Sequence, residues 1–402
     1  MALLPVPDAL ARVLDGVEPL PTERVPLAEA EGRVLAEDLS ARRTQPPDDV
    51  SAMDGYAVHG EDVAVAPARL KLIGEVAAGR PFAGTVGKGE TARIFTGGVL
   101  PPGTDTVVIQ ENTGREGDTV VVQTPAPRGK NVRVAGLDFQ HGDVRLKKGR
   151  RLTGRDVSLA ASMNHPALAV HRRPKVAVVA TGDELVPPGN EPGPGQIVHS
   201  NVFTLAALAR REGAEVIDLG ILPDRLEETI AGLRRARDLG ADVLVTAGGA
   251  SVGEYDLVQP ALAAEGVALS FWKIAMRPGK PMMFGLLKGM RVLGLPGNPV
   301  SAYVCAVLFV APLIRKLTGR TDLDLSLTRG VLGRDLPQND EREEYMRAAL
   351  AYRDGTWVAT PFPNQDSSML VPLAAANCLV IRERHAPAAK AGSPCQFVKL
   401  EA

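Results

Sequence analysis

The sequence predicts a multidomain α/β-plus-β protein, on three observations. From residue 173, β-branched runs alternate with helix-like stretches, the pattern of a parallel sheet with right-handed crossovers. Between 21 and 172 the texture is short alternating runs cut by Gly, Pro and Asp, which is all-β texture. From about 325 to 402 short strands return and predict a small β domain.

Each element has its local reason. Residues 8–18 predict a short helix, with Asp8 as N-cap and Leu10, Val13, Leu14 and Val17 on one face. In the β-rich part, strands are read at "RLKLIGEV", "TARIF", "TVVIQ" and "TVVVQT". The Pro/Asp-rich "TQPPDDVSAMDG" (44–55) and the Gly/Pro-rich "APRGKNVRVAGLD" (126–138) read as junctions, so the segment between them reads as an inserted domain. The α/β part gives strand "KVAVVA", helix "NVFTLAALARREG", strand "EVIDLG", helix "DRLEETIAGLRRARD" and strand "DVLVTAGG". Asp224 stands where an N-cap should, with Glu227 at capping-box spacing. The tail supplies "TWVATPF", "CLVIRE" and "CQFVKLE".

Composition excludes several classes. A chain of 402 residues with 45% hydrophobic and 23% charged content is ordinary for a globular protein of two to four domains. Its formal net charge of −1 argues against nonspecific nucleic-acid binding, which needs a basic field. The N-terminus has no basic stretch ahead of its apolar residues, and Pro5, Pro7 and Asp8 interrupt them, so no signal peptide is expected. The longest apolar run, Val300 to Ile314, holds Ser301 and Pro312 and falls short of the ~20 residues of a membrane span, so it reads as a buried helix. Cys305, Cys378 and Cys395 are odd in number and far apart. Neither a disulfide framework nor a zinc knuckle is indicated, and the cytoplasm is the expected compartment.

Ligands of parallel sheets bind beyond the carboxyl ends of the strands, and four motifs fall there. "TGDEL" sets Asp183 and Glu184 after the first strand, where they suit Mg²⁺ or a ribose hydroxyl, or form only a solvated turn. "TAGGASVGEYD" (246–256) has glycines that let backbone N–H groups converge on an anion, with Asp256 placed to hold a metal; the alternative is a plain Gly-rich connection. "FWKIAMRPGKP" (271–281) carries Lys273, Arg277 and Lys280 about a Pro-Gly turn, an oxyanion grip or a solvated basic hairpin. "GLPGNPVS" (294–301) brings Ser301 to a helix start, where donors and dipole favour an anion. Outside the α/β part, Asp54 in "PPDDVSAMDGYAV" is either a positioning or acid/base carboxylate or part of a hinge turn.

Together, "SAMDGYAV", "FTGGVLPPGTDTVV", "VATGDELV", "GGASVGEYD", "KIAMRPGKP" and "GLPGNPVS" resemble the molybdopterin molybdenumtransferase family, the bacterial MoeA proteins and the E domain of gephyrin. The resemblance runs from about residue 7 to the C-terminus. It implies a central Rossmann-like, molybdopterin-adenylyltransferase-like α/β domain at 173–324, with the 1–20 helix packed on it. It also implies a β-rich stem from 21–44 and 141–172, an inserted β domain at 45–140 and a C-terminal small β-barrel at 325–402, in an elongated homodimer. The implied activity is Mg²⁺-dependent insertion of molybdate into adenylylated molybdopterin, releasing AMP. The alternatives are a molybdopterin adenylyltransferase and a non-catalytic scaffold.

The resemblance also implies roles. Asp54, Thr96, Asp138 and Glu184 would be catalytic. Arg133, Gly248, Gly249, Ser251, Lys273, Pro296 and Pro299 would bind substrate. Arg277, Lys280, Ser301, Arg347 and Ser367 would hold molybdate, and Asp224 and Asp256 the metal. The site is expected to be shared between subunits, with transient contacts to the adenylyltransferase and to molybdoenzyme acceptors, and with neither nucleic acid nor membrane as partner. Two residues depart from the pattern: Arg277 stands where many members carry lysine, and Asp366 where many have glycine, so its carboxylate must face away from the oxyanion.

Overall fold

The computed structural model describes residues 3–248, 257–267 and 270–400. A six-stranded sheet forms the centre of the α/β part, in the order Glu215–Leu222, Lys175–Thr181, Val243–Ala247, Met290–Leu295, Pro281–Leu287, Ser270–Lys273. Alternate residues of one strand enter two cores: Val176, Val178 and Ala180 pack on one side, Ala177 and Val179 on the other. Both faces of the sheet are therefore buried, which is why its strands read as continuous β-branched runs.

The sheet is mixed, a correction to the expected parallel one. Glu215–Leu222, Lys175–Thr181, Val243–Ala247 and Met290–Leu295 are parallel, but Pro281–Leu287 runs against Met290–Leu295 and Ser270–Lys273. The cause is the connection. Only Lys288 and Gly289, with φ of 49° and 94°, separate the paired Leu287 and Met290. A two-residue turn with both φ positive closes a hairpin, whereas a parallel return needs about a dozen residues.

The N-terminal helix is Val6–Leu14, earlier than expected, with Pro in its first turn and Asp8 inside that turn instead of capping it. Its Val6, Ala9 and Val13 join the α/β core. Helix Pro299–Cys305 continues through a π-helical segment, Ala306–Val310, into Ala311–Leu317. By length and composition Pro299–Leu317 is apolar enough to cross a membrane, but 83% of its apolar window is buried inside the protein.

In the stem, Thr22–Pro26 pairs with Ala167–His171 and Leu39–Ser40 with Val144–Leu146. One helix interrupts this β-rich stretch. Gly154–Ser162 starts at Thr153, whose hydroxyl accepts from the Asp156 N–H while Asp156 accepts from the Thr153 N–H. The inserted part is a second six-stranded sheet, in the order Thr106–Ile109, Gly55–Val58, Glu90–Ile94, Ala68–Val76, Thr119–Val122, Thr113–Glu116. In the C-terminal part, strands Glu343–Arg353, Thr356–Pro361, Leu327–Leu332, Pro394–Lys399 and Cys378–Arg382 close into a barrel through the pairing of the first with the last.

Candidate active site

The carboxyl ends of the parallel strands open into a cleft of about 560 Å³. Thr181, Gly182 and Glu184 line it beyond the first strand, Asp224 beyond the second, Gly248 beyond the third, and Pro296 to Pro299 beyond the last. Gly248 has φ of +103°, and a Cβ there would lie 3.1 Å from the Thr181 carbonyl oxygen, so this strand end accepts only glycine without strain. Gly249, Ser251 and Asp256 lie outside the described residues.

The acidic end of the cleft is built by a reciprocal pair. The Asp224 N–H donates to Asp183 Oδ1 at 3.1 Å, and the Asp183 N–H donates to Asp224 Oδ2 at 3.4 Å. This exchange overturns the expected capping role of Asp224. Its carboxylate turns to Asp183, and the helix Leu226–Asp238 starts after Arg225 with no side-chain cap. Glu184 folds back over Gly182, where an added Cβ would lie 2.2 Å from the Glu184 carboxylate.

The basic end exists because Pro281–Leu287 is antiparallel. Ser270–Lys273 runs to the carboxyl edge and Pro281–Leu287 leads away from it, so Lys273 pairs with Pro281 and the 274–280 turn closes at that edge. Lys273 and Lys280 are exposed. Gly279 packs against Cys305 and Ser301 of the next helix, so the turn lies on that helix's first turns. Ser301 itself is buried. Arg277 reaches the C-terminal barrel, with Nη2 2.8 Å from the Glu344 carboxylate and Nη1 3.4 Å from that of Asp340. The bond to Glu344 holds the guanidinium firmly in its charged form.

Ser367 arrives from the barrel. Its carbonyl accepts from the Val300 N–H at 3.0 Å, and its Oγ accepts from Asn298 Nδ2 at 2.9 Å. Arg347 does not line the surface with it. Only 1% exposed, its guanidinium donates to the carbonyls of Met369 at 3.0 Å, Asp366 at 2.9 Å and Asn364 at 3.4 Å. Expected on the oxyanion, Arg347 instead holds from beneath the loop that carries Ser367. The Asp366 carboxylate accepts from the Ser368 N–H and hydroxyl at 2.8 and 2.7 Å. Those bonds keep it below the usual carboxylate range and turned to its own loop.

The β-part residues form a separate group. Asp54 Oδ1 accepts from the Thr96 N–H at 2.7 Å and the Thr96 hydroxyl at 2.9 Å. The amide bond first, then the hydroxyl, hold the Asp54 pKa below its ordinary value. Gly55 is fixed by close approach, since a Cβ would lie 2.0 Å from the Val108 carbonyl oxygen. Arg133 pairs with Val50 on the short strand just before Asp54, and Asp138 donates its N–H to Gln45 at 3.0 Å, so both belong to the same junction. Among the described residues, no hydrogen bond or ion pair joins 45–138 to 173–324.

Sequence reasoning missed several cleft residues. Asn201 Nδ2 donates to the Gly297 carbonyl at 2.6 Å, tying the helix Asn201–Arg211 to the Pro-Gly turn. His199 lines the cleft, only 9% exposed, and its Nδ1 has no hydrogen-bond partner among the described residues. The polar "HSN" ahead of an apolar helix was the available signal.

Comparison with known proteins covers most of the chain. Family models match at 4–164 (MoeA N-terminal region, domains I and II), 177–316 (probable molybdopterin binding domain) and 329–400 (MoeA C-terminal region, domain IV). A molybdopterin molybdenumtransferase of Nostoc sp. is 39% identical over 372 residues, 90% of this chain and 84% of that protein. One of Haemophilus influenzae is 40% identical over 320 residues, 79% of this chain and 78% of that protein. The crystal structure of a molybdopterin biosynthesis MoeA protein of Pyrococcus horikoshii superposes with a TM-score of 0.84 at 31% identity, covering 100% of both chains. The chain belongs to the molybdopterin molybdenumtransferase family, and is an enzyme of the transferase class.

Proposed function

We propose that this enzyme inserts molybdenum from molybdate into adenylylated molybdopterin, releasing AMP, with Mg²⁺ as its metal. The observation that carries the proposal is the opposed charge along one cleft edge. Asp183, Glu184 and Asp224 stand at one end, and Lys280 with the Ser367 loop at the other. A substrate with a metal-binding pyrophosphate and an oxyanion co-substrate suits such an edge.

The donor set fits Mg²⁺. Asp183 and Asp224 are hard oxygen ligands, and each has only one carboxylate oxygen engaged by the other's N–H. A Mg²⁺ site built on one or two carboxylates is completed by water and substrate phosphate. Bound there, the ion would offset pyrophosphate charge and make AMP a better leaving group. The chain's own residues supply the rest. Lys280 attracts molybdate to the edge. Because Asn298 donates to Ser367 Oγ, the Ser367 hydroxyl keeps its proton to donate to the oxyanion. Holding both reactants on one rigid edge raises their effective concentration. Asp54, held ionised by Thr96, and Asp138 with Arg133 position the pterin end. Asp54 comes from the β part and Glu184 from the α/β part, and each cleft is completed by the β part of a second copy.

The test is product analysis. Purified protein is given adenylylated molybdopterin, Mg²⁺ and molybdate, and AMP and molybdenum-bound product are followed. Release of AMP that rises with molybdate is expected. Consumption of molybdopterin with ATP and no need for molybdate would overturn the proposal in favour of adenylyl transfer. No turnover of either substrate would favour a scaffold.

A further inference from the structure

We infer that Arg277 is a positioning residue, a strut from the α/β part to the C-terminal barrel that fixes the turn carrying Lys280, and that it is not itself a ligand of the oxyanion. The inference deepens the reading of this cleft end as the molybdate subsite and rests on it.

Both terminal nitrogens of Arg277 are engaged by the barrel, while its Nε is buried without a hydrogen-bond partner among the described residues. Besides Glu344 and Asp340, its Nη2 lies 3.4 Å from Asn339 Oδ1. These acceptors form a built cup. Asn339 is only 6% exposed, and its amide nitrogen donates to the carbonyls of Arg342 at 2.8 Å, Arg382 at 3.1 Å and Glu383 at 2.8 Å. With the nitrogen committed there, Oδ1 must face Arg277. Asp340 is held in turn by the Arg342 N–H at 2.9 Å and the Arg342 guanidinium at 2.8 Å. Glu344 has a side chain only 13% exposed, so its charge needs a partner.

The main chain repeats the connection. Met276 and Arg277 pair in parallel with Glu343 and Glu344, and the Glu343 N–H donates to the Ala275 carbonyl at 2.8 Å. On its other flank the turn closes on the helix, where Gly279 meets Cys305 and Ser301. The Lys280 carbonyl accepts from the Ile274 N–H at 2.8 Å. The turn is thus clamped between barrel and helix, and Lys280 is exposed, with no side-chain partner among the described residues. An oxyanion approaching Arg277 would come against the carboxylates of Glu344 and Asp340, whereas at Lys280 it meets an unshared charge. Arginine suits the strut because one planar fork reaches both carboxylates and the amide, which a lysine ammonium on a single stem does less well.

The test compares Glu344→Gln, Arg277→Met and the double variant in the full-length protein. Sodium molybdate binding is measured by calorimetry, and hydrogen exchange of the 274–281 amides is followed without ligand. The strut predicts faster exchange of those amides in both single variants. It also predicts molybdate binding weakened in both by about tenfold, the scale of one charge-assisted bond. The double variant should be no worse than the weaker single. If Arg277 is a ligand, the sign reverses for Glu344→Gln, because removing a competing carboxylate frees the guanidinium and tightens binding; that result, or unchanged binding, overturns the inference. If the wild-type protein binds no molybdate, the subsite reading fails, and the exchange data still decide the strut. Loosening of 274–281 in both variants supports it, and unaltered exchange rejects it.

Discussion

Arg347→Met tests how the cleft's second arginine acts. Methionine nearly fills the space of a side chain only 1% exposed, so the change removes hydrogen bonds with little cavity. Two good bonds are lost, to Met369 and Asp366 at 3.0 and 2.9 Å, with a weaker one at 3.4 Å to Asn364. Charge-assisted bonds contribute about 1.5–3 kcal/mol each, so the gross loss is about 3–6 kcal/mol. The 366–369 loop is at the surface, and water will replace part of it, leaving about 2–4 kcal/mol. That shifts the balance between held and released loop by about thirty- to several-hundred-fold. The bonds of Gln365 to the Arg347 main chain at 3.0 Å remain, so the barrel stays folded. The catalytic effect is bounded by what the loop delivers. Losing the Ser367 contact should raise the molybdate KM about tenfold, the scale of one bond to a charged group. Arg347→Met should therefore match Ser367→Ala, and the double variant should equal either single. The assay is molybdate-dependent AMP release over a range of molybdate concentrations. Multiplying losses in the double variant would refute the reasoning and return Arg347 to direct contact with the oxyanion.

Thr96→Val removes the hydroxyl donor from Asp54 and keeps the amide donor. Because the Asp54 pKa is held low, activity that needs its charge is lost only as pH falls through that lowered value. In the variant the acid limb of kcat/KM against pH should move upward, and an unmoved limb would dissociate Asp54 from the profile. Glu212→Gln breaks a buried network, since Glu212 meets Arg315 at 2.8 Å and Arg320 at 2.9 Å, and should cost about 3 kcal/mol in urea unfolding. Burial alone would raise the Glu212 pKa, but its arginine partners outweigh burial and lower it. This stabilisation is full above the unfolded carboxylate range and is lost as pH falls through the folded value, so wild type should lose its advantage over the variant in acid. For the shared cleft, Asp54→Ala and Glu184→Ala should each be inactive alone. Their freely exchanged equal mixture should recover about a quarter of wild-type activity, and a dead mixed dimer of proven composition would place both residues in one chain's site.

Much of the arrangement is legible because strand ends carry their own marks. The buried parallel strands are unbroken β-branched runs, and the motifs that follow them fall where ligands bind in such sheets. The helix Gly154–Ser162 had a readable start in Thr153 and Asp156, but the surrounding β texture masked it. Strand Glu343–Arg353, "EEYMRAALAYR", was not legible, because Glu, Ala, Arg and Leu favour helix and only barrel closure makes it extended. Residue type announced a basic cluster at Arg277, Lys280 and Arg347. It did not announce which cations are already spent, since Glu344, Asp340 and the 364–369 carbonyls come from distant sequence and meet the arginines only in the fold. The N-cap reading of Asp224 failed for the same reason: its neighbour Asp183 is 41 positions away.

The Lys288–Gly289 turn bears on how function is transferred between relatives. Seven residues, Pro281–Leu287, separate it from the basic turn, roughly 23 Å of extended strand. Register in a hairpin is set at its closed end, and a slip of one residue reverses every side chain along the strand. A relative with one residue inserted or deleted at 288–289 would keep "RPGKP" and "GLPGNPVS" intact as words and still misplace the lysine of the first. Hairpin length, compared before motif identity, is then the criterion by which an aligned lysine inherits the role of Lys280.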